Sequence, residues 1–146
     1  MIRAFTMVEL LVVFALISLL AGAGIGISQQ AGRRQRVLAA AENLAGALKT
    51  ARANALAGKK DTATCGSNFL DGWRVAVLTN GYTLEGVCGA VFFSKTTTYP
   101  MAVTNSPTPT VLFKPLGLGA TPATTITVSG SGVTQTVQVT GSGEVK

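Results

Sequence analysis

Hydrophobic and polar positions divide this chain into three stretches with different periods. From Leu10 to Ile27 no residue is charged and Ser18 carries the one side-chain hydroxyl. Counted from Phe5 the apolar run is about 23 residues, enough to cross a hydrocarbon core of about 30 Å as a helix. Past Gly32 the period becomes helical and amphipathic. Val37, Ala41, Leu44, Leu48, Ala51 and Ala55 follow a 4-3-4-3-4 spacing that puts them on one face. Glu42, Asn43, Lys49, Thr50 and Asn54 fall elsewhere on the circumference. Gly58 suits the C-terminal cap, with Lys59 and Lys60 just beyond. Glycines at 22, 24 and 26 weaken the helix where the two halves meet, so a bend is expected there.

From Asp61 the period shortens to two and turn residues multiply. Trp73–Leu78 reads as a strand, Asn80-Gly81 as a tight turn, and Tyr82–Leu84 as the pairing strand. Val91–Phe93 and Val111–Phe113 read as short buried strands. Thr125–Val128 and Val133–Val139 alternate and are joined through Gly130-Ser131-Gly132, with Glu144-Val145 as a last edge. Thr96–Pro109, rich in Thr, Ser and Pro, reads as a surface loop. The expected fold class is α+β: a long bent N-terminal helix, half transmembrane and half amphipathic, packed on a C-terminal antiparallel β-sheet head. The expected boundaries are a leader at 1–4, a transmembrane and assembly helix at 5–28, an amphipathic stalk at 29–60 and a globular head at 61–146.

Composition sharpens this division. Apolar residues make up 47% of the 146 and charged residues only 12%, and the excess hydrophobicity lies in the first stretch. The net charge of +6 is equally uneven. Arg33, Arg34, Arg36, Lys49, Arg52, Lys59 and Lys60 meet one acid, Glu42, whereas four bases meet four acids from Asp61 onward. Arg33, Arg34, Arg36, Lys59 and Lys60 are therefore candidates for contact with lipid headgroups or DNA, against the plainer reading of a solvated helix face. The absence of histidine removes Ser-His-Asp and Cys-His catalysis and histidine-containing zinc sites. No cofactor and no enzymatic activity are expected. Cys65 and Cys88 fit neither a redox CxxC pair nor a metal knuckle. They are either a disulfide, chemically permitted outside the cytoplasm, or two free buried thiols.

The N-terminal run admits three readings. One is a plain membrane anchor. Another is a cleaved secretory signal, with Met1-Ile2-Arg3 as the n-region, Leu10–Leu20 as the h-region and Ala21-Gly22-Ala23 as the cut site; the product would be a secreted, soluble, β-rich protein. Neither has a use for Glu9 at the start of the apolar run, because an ionisable group there is costly without a partner. The third reading supplies one. A cut between Ala4 and Phe5 creates an ammonium group one helical turn from Glu9, and Glu9 of one subunit then pairs with the Phe5 amine of its neighbour.

The run Ala4-Phe5-Thr6-Met7-Val8-Glu9-Leu10-Leu11-Val12-Val13 resembles the N-methylation motif of type IV pilins and pseudopilins. The resemblance implies cleavage before Phe5 by a prepilin peptidase, methylation of the Phe5 nitrogen, and Glu9 as the filament-assembly carboxylate. Ala4 departs from the Gly usual before the cut. The arginine distribution also runs against the required topology, since three arginines follow the span and one precedes it; the motif, which names particular residues, outweighs that bias.

A longer resemblance covers the rest of the chain. Ala51-Arg52, Ala55, Cys65, Gly72-Trp73-Arg74-Val75, Phe113-Lys114-Pro115-Leu116-Gly117 and Gly143-Glu144-Val145 stand in the order of the GspH/FimT type of pseudopilin and minor pilin. It implies Trp73 in the head core, Gly117 in a turn, and a structural subunit of a type IV pilus or type II secretion pseudopilus. The implied partners are other pilin or pseudopilin subunits, the prepilin peptidase, the inner-membrane assembly platform and membrane lipid. The implied location is a single-pass membrane protein with its head outside the cytoplasm. Some members of this type are implicated in DNA uptake through a basic ending, so a pilus-borne DNA receptor is an alternative. The ending Gly141-Ser142-Gly143-Glu144-Val145-Lys146 places an acid where that motif has Arg.

Overall fold

A computed structural model describes residues 6–100 and 102–146, with the side chains of 19–30 outside the description. A single helix, α1 (Met7–Leu56), precedes a β-rich body. Its C-terminus is a Schellman closure: Lys59 N–H donates to Asn54 O and Gly58 N–H to Ala55 O, with Gly58 at φ +59°. That left-handed turn is why glycine stands there. The bend expected at Gly22, Gly24 and Gly26 falls on residues whose side chains lie outside the description.

After α1 come a four-residue helix, α2 (Thr62–Cys65), and eight strands: β1 (Gly72–Leu78), β2 (Gly81–Cys88), β3 (Ala90–Thr98), β4 (Thr104–Ser106), β5 (Thr110–Phe113), β6 (Ala120–Thr121), β7 (Thr124–Gly130) and β8 (Val133–Val139). They form two antiparallel sheets, one in the order β3-β2-β1-β5-β6 and one in the order β4-β7-β8. β1 is central in the first, pairing Val75 with Leu84 on one side and with Val111 on the other.

Both sheets pack on one face of α1. The expected stripe Val37, Ala41, Leu44, Leu48, Ala51 and Ala55 is buried throughout, joined by Ala40 and Ala47. The alanines leave little side-chain bulk between backbones, so the sheets approach closely, while Leu44 and Leu48 fill the space between them. Trp73, Val75, Val111 and Phe113 from the first sheet and Ile126, Val128, Val137 and Val139 from the second complete the core. Truncating either leucine to alanine would cost about 2–5 kcal/mol through lost burial and the cavity left behind.

Two elements differ from the sequence expectation. Val91–Phe93 does not form a buried strand: β3 is a sheet edge, exposed along most of its length. The stretch expected as a loop from Thr96 is strand through Thr98 and again at β4. The β-branched threonines favour extended backbone, and an edge leaves both strand faces near solvent, so polar threonines serve as well as apolar residues. Because Gly86 pairs with Phe93 while Val87 pairs with Val91, Phe92 is the extra residue of a bulge. The bulge brings consecutive phenylalanines to Trp73, with ring centroids at 5.5 Å for Phe92 and 5.3 Å for Phe93.

Candidate functional site

The N-terminal turn of α1 places Glu9 among capping groups. Thr6 is the N-cap, and its side-chain oxygen accepts from the Glu9 N–H at 3.3 Å. Glu9 thus sits three residues after a Thr cap, the spacing of a capping box, where its charge also complements the positive end of the helix dipole. The Thr-x-x-Glu spacing was legible in the sequence, where the carboxylate was assigned only to intermolecular pairing. Ala4 and Phe5 lie outside the described residues.

From this cap to Ile17 the apolar side chains of α1 have no cover from the rest of the described chain. Met7, Val8, Leu10, Leu11, Val12, Val13, Phe14, Leu16 and Ile17 are all exposed. Among the described residues no helix is long and apolar enough to cross a membrane. The expected span of 5–28 includes Phe5 and the residues from 19 on, whose side chains are outside the description.

The basic candidates do not converge. Arg33, Arg34 and Arg36 are exposed on α1, while Lys59 and Lys60 follow its last turn. At about 1.5 Å per residue, roughly 35 Å separates Arg33 from the helix end. Lys60 is also engaged locally, its Nζ donating to Asn68 O at 3.0 Å and Gly66 O at 3.4 Å. These bonds fasten the loop after α2 to the end of α1.

Cys65 and Cys88 are joined in a disulfide with a Cα–Cα distance of 5.7 Å, and both are buried. The bridge ties α2 to the end of β2. Asp61 caps α2, its carboxylate accepting from Thr64 Oγ1, Ala63 N–H and Thr64 N–H. The Thr64 hydroxyl, with help from those backbone donors, holds the Asp61 carboxyl below its usual pKa.

Asn105 is the buried polar residue of the body. Its Nδ2 donates to Leu78 O at 2.8 Å and Gly81 O at 2.9 Å, and lies 3.4 Å from the Tyr99 hydroxyl. One amide thereby holds β4 of the second sheet against the β1–β2 turn of the first. Gly81 lies so near the Thr97 carbonyl that a Cβ would find no room. Burial raises the pKa of Tyr99, with the Asn105 amide acting in the opposite direction. Nothing in the hydrophobic pattern marked Asn105, because an isolated Asn in a Thr/Ser/Pro-rich stretch is an ordinary loop residue.

The Phe113-to-Gly117 stretch closes on the helix end. Gly117 occupies a turn at φ +79°, where a Cβ would touch the Leu56 side chain. Leu116 and Leu118 beside it remain exposed.

The model of the family described as type II transport protein GspH matches residues 40–143. No curated protein and no solved structure matches the chain.

Proposed function

This chain belongs to the family of the type II transport protein GspH, and from that premise we propose that it is a pseudopilin or minor pilin inserted in a filament through the N-terminal half of α1. The role is structural and non-catalytic. Residues 1–4 are a leader removed by a prepilin peptidase, 5–28 the membrane and assembly segment, 29–60 the stalk and 61–146 the head. The Phe5 amine, methylated after cleavage, pairs with Glu9 of the neighbouring subunit. Until assembly the subunit rests in the membrane with its head outside the cytoplasm, where an oxidising environment suits the Cys65–Cys88 bridge.

The observation that carries this proposal is the division of α1 between two environments. From Val37 to Ala55 one face is buried under two sheets, whereas every described side chain from Met7 to Ile17 is exposed. An apolar helix surface of that size in a single chain calls for lipid or for other helices around it.

The mass of the mature N-terminus tests the proposal. A chain starting at methylated Phe5 supports it, and one starting at Gly24 means a secreted protein. Glu9→Leu should leave the protein in the membrane yet lower its recovery in sheared or overexpressed filaments; unchanged incorporation would remove the role given to that carboxylate.

A further inference from the structure

The sheet edges of the body are not equally protected. β6 and β4 span two and three residues, too short to template a partner. The end of β8 is covered by the C-terminus, with Gln138 and Lys146 exchanging both backbone bonds. β3 is different. It is nine residues long, and among the described residues no strand pairs with its outer side. Tyr99 N–H donates to Asn80 O at 2.8 Å, so strand alternation turns the N–H and C=O groups of Thr98, Thr96 and Ser94 outward. The Val77 N–H bond to Pro109 O gives the same parity when carried across β1 and β2.

A cleft runs beside this edge, between α1 and β3. It measures about 540 Å³, has Trp73 and Phe92 in its floor and is lined by Phe93, Lys59, Lys60 and Lys95. A separate hollow of about 440 Å³ lies further along, between Arg36 and the end of β3. The acid in the cleft lining is Asp61, whose carboxylate already serves α2. The ion pairs formed among the described residues are Arg74–Glu85 and Lys146–Glu144, so Arg36, Lys59 and Lys95 have no carboxylate partner within the described chain.

We propose that the outer edge of β3 is a docking site for an extended acidic segment of a different protein, which adds to the first sheet as a further strand. Backbone bonds to Ser94, Thr96 and Thr98 hold the segment, and its alternate side chains face the cleft and the hollow, where carboxylates meet Lys59, Lys95 and Arg36 and apolar residues meet Phe93. The basic lining that attracts such a segment also disfavours another copy of this chain. The six acids of the sequence stand no closer than ten positions apart, so no stretch as long as β3 carries two of them. Lys95 on the edge strand itself acts as a guard against self-pairing.

The test uses the full-length chain in detergent micelles and a fluorescent peptide of the same length as β3, with threonine at odd positions and glutamate and valine alternating at even ones. Saturable binding at low salt is expected, with slowed hydrogen exchange at the amides of Ser94, Thr96 and Thr98. N-methylation of the peptide backbone along one edge should weaken binding about tenfold or more. Lys95→Glu should weaken the glutamate peptide and strengthen its lysine counterpart. Four results overturn the proposal: no binding at low salt, equal binding of the N-methylated peptide, exchange at these amides already slowed by self-association, or the same protection produced by single-stranded oligothymidylate in place of the peptide.

Discussion

The indole Nε1 of Trp73 donates to the carbonyl oxygen of Lys59 at 2.9 Å, joining the first residues of the central strand to the closing turn of the long helix. The ring is only 2% exposed, so one side chain both fills the core and fixes where the chain leaves α1. Trp73→Phe should cost about 0.5–1.5 kcal/mol for the lost hydrogen bond plus a modest packing penalty, and Trp73→Ala about 3–5 kcal/mol. Denaturant titration followed by far-ultraviolet circular dichroism measures both, and equal losses would show that a phenyl ring recovers none of the packing and that the indole itself carries the whole effect.

Asn105 bridges the two sheets by donation alone, and its Oδ1 has no hydrogen-bond partner. The donor end is therefore the useful one. Asn105→Ala should destabilise by about 2–3 kcal/mol, since two carbonyl oxygens lose their donor in a buried site. Asn105→Asp should be worse at neutral pH, because an ionised carboxylate would face those same oxygens, and the gap between the two variants should narrow on acidification. Thermal melts at pH 7 and pH 4 check the order.

The Cys65–Cys88 bridge closes a loop across a sequence separation of 23 that starts at the last residue of α2 and contains both strands of the β1–β2 hairpin. A Cys65→Ser/Cys88→Ser variant should lose about 2–4 kcal/mol. Hydrogen exchange should rise first in α2 and the start of β3, while the buried face of α1 stays protected. Uniform loss of protection would show that the bridge supports the whole body rather than its own corner.

Tyr99 gives the body a signature at alkaline pH. Its folded pKa is raised by burial above the ordinary 10.0, so the fold favours the neutral phenol. That contribution is complete below pH 10 and is lost as pH rises through the folded value, where the unfolded chain is already ionised. Tyr99→Phe, which cannot ionise, should show a shallower fall in stability above pH 10 than the unmodified protein. Parallel pH profiles of denaturant midpoint would overturn this assignment.

Much of the fold was legible because one physical rule sufficed for each part. The stripe from Val37 to Ala55 has a helical period and a wide apolar face, so its burial follows whatever lies above it. β7 and β8 alternate, and β1 and β5 are short runs rich in apolar residues. The turn signal at Asn80-Gly81 marks the β1–β2 hairpin one residue late, because the loop is Thr79-Asn80 and Gly81 already pairs with Leu78. The nature of β3 was not legible. Val91, Phe92 and Phe93 look like core, yet whether a strand is central or at an edge depends on which strands lie beside it, and that is a property of the sheet. The bulge that turns both phenylalanines toward Trp73 likewise arises from pairing with Gly86 and Val87.

The candidate site divides the same way. The Thr6 cap emerged from the structure, but the apolar run after Glu9 is local, and the sequence alone determined an apolar helix there. It also determined the amphipathic stalk, the glycine that ends it and the chain's resemblance to its family. Only the tertiary structure decided that Lys60 binds carbonyl oxygens and that Asn105 holds two sheets together. These are relationships between residues distant in the chain, and they depend on three-dimensional distance and the exclusion of water, which no local period encodes.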